Sequence, residues 1–217
     1  MKKLNEMRIE KRLTSSFRIT TMITSVAAIA AILVLLIISN RYTYALRYFG
    51  FAQGDIGQAI ILFTDARGDT RAIVGYDDQS VISNLVSQFD EDKEGFTSQW
   101  KEVEAVLVTD ETKSTYQTIN NKLQDYWALN EEIIELGKTV SDKAGRQQAQ
   151  SKAMNELAPA YEEIESLMYE LFNTKTSRGE SLDNNLNIAT YILVVAAVIV
   201  LVISFNISVR FGRFIAR

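Results

Sequence analysis

The sequence predicts an all-α protein, an antiparallel up-down-up-down four-helix bundle continuous with two transmembrane helices. Three observations carry that expectation. The chain of 217 residues holds one Pro and ten Gly, too few turn formers for a sandwich or barrel of many short strands. Two long stretches carry no charge, Ile19 to Asn40 and Asn184 to Val209. Between them apolar residues recur at alternating spacings of four and three, the repeat of one helix face.

The uncharged stretches are 22 and 26 residues long, and a bilayer core takes about 20 residues of helix. Their strictly apolar cores, Val26 to Ile38 and Tyr191 to Ile203, hold 13 residues each. Thr20, Thr21, Thr24, Ser25, Ser204 and Asn206 must therefore extend the spans. A central Asp, Lys or Arg would cost roughly 2.5–3.5 kcal/mol, and neither stretch contains one.

Charge then sets the topology. Residues 1–18 hold six basic and two acidic side chains, and residues 210–217 hold three Arg and no acid. Residues 41–183 hold 14 basic and 25 acidic side chains, so the ends sum to +7 and the middle to −11. Basic flanks stay in the cytoplasm, which predicts both termini inside and the acidic segment outside. Tyr42, Tyr44, Tyr48 and Tyr191 are the expected aromatic anchors at the outer interface. A cleaved signal peptide is the competing account of the first span. Against it speak the 18-residue charged leader and the lack of a small-x-small cleavage site after the apolar core, where Asn40-Arg41-Tyr42-Thr43-Tyr44 is a poor peptidase substrate. The expected divisions are a basic cytoplasmic segment 1–18, spans at 19–40 and 186–207, a bundle at 41–185 and a linker from 208 to 217.

Within the bundle the first helix carries Ala45, Phe49, Ala52, Ile56, Ala59, Phe63, Ala66, Thr70 and Ile73. Gly50, Gly54, Gly57 and Gly68 weaken it by up to about 1 kcal/mol each, or else permit close helix approach. Gly75-Tyr76-Asp77-Asp78 is the first turn signal. The second helix carries Ile82, Leu85, Phe89, Phe96, Val103 and Val106, and its register passes through the polar Asp92. The third is expected to start at Asp110 as N-cap and to carry Tyr116, Ile119, Leu123, Tyr126, Asn130 and Ile133, with Gly137 near its end. The fourth starts near Ser141 or Asp142 and carries Met154, Leu157, Tyr161, Ile164, Met168 and Leu171. Pro159 should kink it without ending it, because the repeat survives. Short connections at 75–79, 107–111 and 137–142 force up-down-up-down order.

No Cys and no His occur, which removes disulfides, thiolate chemistry, imidazole ligands and the Ser-His-Asp triad. The acidic residues read as a solvated face, and none forms an isolated pair tuned for catalysis. No enzyme activity, cofactor, metal or nucleic-acid partner is expected. Asp90-Glu91-Asp92-Lys93-Glu94-Gly95 opens like a calcium-binding loop, but Lys101 stands where the bidentate Glu is required. A polar interruption of the second helix explains it better. Arg67-Gly68-Asp69 falls mid-helix, where an adhesion motif would not be displayed. Trp100, Tyr126, Trp127 and Tyr161 read as core before they read as a ligand pocket.

The candidate ligand site is Arg67 and Arg71, four apart and on one face. Antiparallel geometry brings Arg146, Gln147 and Gln150 of the fourth helix to a similar height. Two guanidiniums meeting a neighbouring helix would clamp a carboxylate. The alternative is plain surface ion pairing with the interleaved Asp65 and Asp69.

The chain resembles the transmembrane sensor part of bacterial methyl-accepting chemotaxis proteins. The resemblance rests on the span–bundle–span order and on Asp55-Ile56-Gly57-Gln58 leading to Arg67 and Arg71. It rests also on Glu156-Leu157-Ala158-Pro159-Ala160-Tyr161-Glu162-Glu163-Ile164, and on Ser208 to Arg217, which is similar to the start of a HAMP linker. The HAMP Pro, the methylation helices and the kinase-coupling hairpin are not in the sequence. The resemblance implies a homodimer that binds a small ligand, an organic acid or amino acid, near the dimer interface. It also implies a cytoplasmic signalling module and histidine kinase complex reached through a further C-terminal part.

Two other functions stay open at this point: the sensor of a histidine kinase or cyclase, and a two-span membrane scaffold that binds nothing. The alanines Ala45, Ala52, Ala59 and Ala66 with the neighbouring glycines are the expected dimer face. The segment from Thr174 to Asn185 has one large apolar residue, Leu182. It is expected to be weakly packed, so that the fourth helix and second span slide together by about 1–2 Å.

Overall fold

A computed structural model of the chain describes residues 9–215. Met1 to Arg8 of the basic leader, and Ala216 and Arg217 of the HAMP-like segment, lie outside the described residues. The elements are helices α1 (Ile9–Ala45), α2 (Phe51–Gly75), α3 (Gln79–Ala105), α4 (Asp110–Gly137), α5 (Lys143–Lys152) and α6 (Ala158–Ile215). Leu46–Gly50 joins α1 to α2, and Ala153–Leu157 joins α5 to α6, each by five residues of wider, π-helical winding. Among the described residues there is no strand.

The chain forms two compact units, one of residues 45–180 and one made of the chain up to Tyr44 with the chain from Ser181 onward. The second unit contains two helical stretches long and apolar enough to cross a membrane. Their side chains, such as Leu36, Ile199 and Leu201, lie exposed. Tyr42 and Asn187 are hydrogen-bonded at 3.4 Å in this unit.

Residues 45–180 are the four-helix bundle: α2, α3, α4, and a fourth helix made of α5, the wide turn and the first part of α6. The four-and-three repeat is the core. Ile56, Ala59 and Phe63 of α2 share one core cluster with Phe96 and Val103 of α3, Ile119 and Tyr126 of α4, and Ile164 and Met168 of α6, all 1% exposed or less, and Ala66 lies in a second cluster with Ile73, Ile82 and Phe89. Burying each large apolar side chain contributes roughly 1.5–3 kcal/mol. The Phe63 ring stacks on Tyr161 at 5.0 Å and meets Tyr126 at 4.8 Å. Trp100 stacks between Phe96 at 5.7 Å and Tyr116 at 4.8 Å, and its indole N–H donates to Asn120. The aromatics are therefore core, with Trp127 half-buried beside them. The stretch Asp90 to Gly95 is wound into α3 rather than looped.

The helix starts have local causes. Asp78 caps α3, accepting from the backbone N–H groups of Ser80 and Val81. Those bonds, together with the Ser80 hydroxyl, hold its carboxyl below the usual range. Thr109, not Asp110, caps α4, its hydroxyl accepting from Thr112 N–H at 3.3 Å. Asp110 is instead the first helical residue, where a carboxylate favours the positive end of the helix dipole. Asp142 caps α5 through Gly145 N–H at 2.9 Å. A Cβ on Gly145 would lie 2.5 Å from that carboxylate and 2.9 Å from the Leu136 carbonyl oxygen, so only glycine fits.

Two expectations are corrected. Ala52, Ala59 and Ala66 are not an outer dimer face, because each is 0% exposed within the protomer. They are the small residues that let large ones such as Phe63 interdigitate. The start of the 174–185 segment is not loosely packed. Lys175 is fully buried, and a Cβ on Gly179 would lie 3.2 Å from Phe49 Cβ. Pro159 does not end the helix: the wide turn just before it supplies an i to i−5 bond from Ala158 N–H to the Ala153 carbonyl.

Candidate functional site

Arg67 and Arg71 lie one turn apart on α2 and line a groove of about 360 Å³. Val74 of α2, Gln150 of α5, Met154 and Leu157 of the wide turn, and Ala158 of α6 complete its wall. Arg67 packs over Tyr161, its guanidinium carbon 3.8 Å from the ring centroid. That ring is backed by Phe63 and its hydroxyl bonds Thr64 and Glu165, so the plate under Arg67 is fixed. Burial and the bond to Glu165 push the Tyr161 phenol up, so it stays neutral. A guanidinium stacked on a ring keeps its N–H edge for a planar acceptor.

No carboxylate among the described residues forms an ion pair with Arg67 or Arg71. Asp69, between them in sequence, turns towards Asp92 of α3 instead. Two open cations beside an apolar wall of Met154 and Leu157 suit a small anion carrying a short hydrocarbon portion.

The other two candidate residues go elsewhere. Arg146 is buried, and its guanidinium donates to the carbonyls of Gly137 at 2.8 Å, Ile73 and Val74 at 3.3 Å, and Tyr76. It also reaches the exposed Asp77 carboxylate at 3.3 Å. Arg146 thus ties together the ends of α2 and α4 and is spent on them. Gln147 is exposed and does not line the groove. Gln150 does, its amide donating to the Val74 carbonyl at 2.9 Å.

Sequence reasoning passed over two further groups. Lys175 of α6 is fully buried, its ammonium donating to the Val106 and Tyr48 carbonyls and lying 5.3 Å from the Phe49 ring centre. Burial, then the nearby Arg178, pushes it down to about 8. The second group is Asp69 with Asp92, two facing carboxyls between α2 and α3. Both sit in the core register of their helices, which was the available signal: Lys175 continues the spacing Tyr161, Ile164, Met168, Leu171, and Asp92 lies between Phe89 and Phe96.

The fold defines a class, an all-helical protein built on a four-helix bundle. Residues 6–191 match the model of the four-helix-bundle sensory modules for signal transduction, and the chain belongs to that family, the sensory modules of MCP chemoreceptors. No curated protein and no solved structure matches it.

Proposed function

We propose that the chain is the ligand-sensing and membrane-spanning part of a bacterial chemoreceptor that binds a small carboxylate, an organic acid or amino acid, at Arg67 and Arg71. The observation that carries this is a pair of guanidiniums that have no ion-pair partner among the described residues and line one groove of a sensory-module bundle. The acidic bundle lies outside the cell and both basic ends lie in the cytoplasm. Binding biases a small displacement of α6, which is read by a cytoplasmic signalling module and histidine kinase complex and drives chemotaxis.

The receptor works as a homodimer. Gly54, Gly57, Ile61, Gly68, Arg71 and Gly75 follow one side of α2 and are exposed or half-buried in the protomer. A Cβ at Gly54, Gly57, Gly68 or Gly75 would meet nothing within 4 Å in the protomer, which leaves room for a second backbone. This stripe runs through Arg71, so the partner lies beside the groove.

The test is calorimetric titration of the full chain in nanodiscs with a panel of mono- and dicarboxylates and amino acids. At least one should bind, and Arg71→Ala should weaken it at least tenfold, about 1.4 kcal/mol. Binding of none would favour the scaffold alternative, and binding unchanged by Arg67→Ala and Arg71→Ala would place the site elsewhere.

A further inference from the structure

Asp69 of α2 is 7% exposed and lies within hydrogen-bond reach of Asp92 of α3. Asp69 Oδ2 and Asp92 Oδ2 are both buried, and neither has a hydrogen-bond partner. A carboxylate only accepts hydrogen bonds, so two of them facing each other cannot satisfy one another when both are ionised. One proton shared by the two carboxyls supplies the donor that the pair lacks and leaves a single charge.

Nothing nearby provides a counter-charge. The charged groups acting on the pair are further acids, Asp65 on α2 and Glu91 on α3. The cations closest in sequence lie elsewhere. Arg67 lies on the Tyr161 ring, Arg71 lines the groove, and Lys93 pairs with Glu131 of α4. The packing that α4 supplies between these helices is apolar, from Trp127 and Ile134. Among the described residues no set of three acids is placed to hold a metal ion, so the species that resolves the conflict is the proton.

We propose that Asp69 and Asp92 form a proton-binding site through which the sensor reads the acidity of its medium, a second input besides whatever the groove binds. Protonated, the pair is a hydrogen bond that ties α3 to α2. Deprotonated, it is two buried like charges with Asp65 beside them, and the two helices are driven apart. Asp69 lies two residues from Arg67 and from Arg71 on the same helix, so the loosening is felt at the groove. Burial, then Asp92, then Asp65, pushes the Asp69 carboxyl up to about 6, and burial and Asp65 push Asp92 in the same direction. The switching range is therefore mildly acidic.

The experiment uses the full chain in nanodiscs with carboxyl-13C aspartate, titrated by NMR from pH 4 to 8, with hydrogen exchange of the segment 85–96 followed over the same range. Wild type should show one aspartate titrating near pH 6 that is absent in Asp69→Asn. In Asp92→Asn, whose amide donates to Asp69, that midpoint should fall by about a unit or more. Exchange in 85–96, corrected for its intrinsic pH dependence, should quicken severalfold above the wild-type midpoint and lose that step in Asp92→Asn. If no aspartate titrates above pH 5, or if Asp92→Asn leaves the midpoint unchanged, the site is wrong. If the aspartate titrates and exchange does not respond, the proton is bound silently and the sensing role is wrong.

Discussion

The two ends of the bundle are each fastened by one buried cation, and the fastenings differ. At the end where α2 turns into α3 and α4 into α5, Arg146 reaches four backbone carbonyls with a planar fork. At the end where α3 turns into α4, Lys175 reaches two carbonyls as a point charge against the Phe49 ring. A guanidinium keeps its charge at any working pH and matches several fixed acceptors at once. A lysine that burial has moved to about 8 does not. One end is fastened permanently, and the other is held by a group whose charge depends on conditions.

Removing the stronger fastening should do most damage. Arg146→Met leaves buried carbonyls without donors and should cost about 3–5 kcal/mol in chemical denaturation. Arg146→Lys should recover only part of that loss, since the charge returns without the fork. A full rescue by lysine would erase the distinction between the two ends.

Lys175→Met should cost less, about 1–3 kcal/mol at pH 7, for two lost acceptors. Its pH dependence is the sharper measurement. With the folded value at about 8 and the ordinary value at 10.5, the unfolded chain binds more protons between those limits. Stability from this group therefore rises with pH from 8 to 10.5 and is lost as pH falls through 8. Wild type should show that rise and Lys175→Met should not. Thr70→Val, away from both ends, should cost about 1 kcal/mol, because Asn130 Oδ1 loses its 2.8 Å donor in the core.

The smallest effect on stability belongs to the cations that hold no backbone. Arg71→Ala should change stability by less than about 0.5 kcal/mol while removing most anion affinity. A large loss of stability would show that this exposed arginine has a structural role after all.

The course of the bundle was legible in the sequence because its core repeats over long stretches: the repeat positions from Phe49 to Ile73 and from Leu157 to Leu171 are the ones now buried, whereas Met154, expected in the same repeat, lies exposed in the wide turn. The face assigned to the small residues was not. Alanine suits both a protomer core and a dimer seam, and only the position of Phe63 and its neighbours shows which. Arg146 sits in the polar run Gly145-Arg146-Gln147-Gln148 and has no sequence mark of burial, because its partners are backbone carbonyls that every residue carries. Asp69 paired with Asp92 was hidden for a related reason: two helices must be set in register before like charges are seen to meet. Arg67 and Arg71 were legible as a same-face pair, whereas the Tyr161 ring beneath Arg67 needed the fold.

The wide turn at Ala153–Leu157 bears on how the chain tolerates changes of length. Ala149 and Leu157 both point into the core although eight residues separate them, one more than the seven that span two turns. The wide turn absorbs the surplus residue, and it lies where Pro159 offers no N–H to the carbonyl four residues back. Deleting one residue from 153–157 would restore regular winding and strand the proline inside it, at about 3 kcal/mol. Replacing Pro159 by Ala alone would leave the surplus residue in place. Only the two changes together yield an unbroken helix with the same core, so this stretch can shorten by one residue only if its proline goes as well.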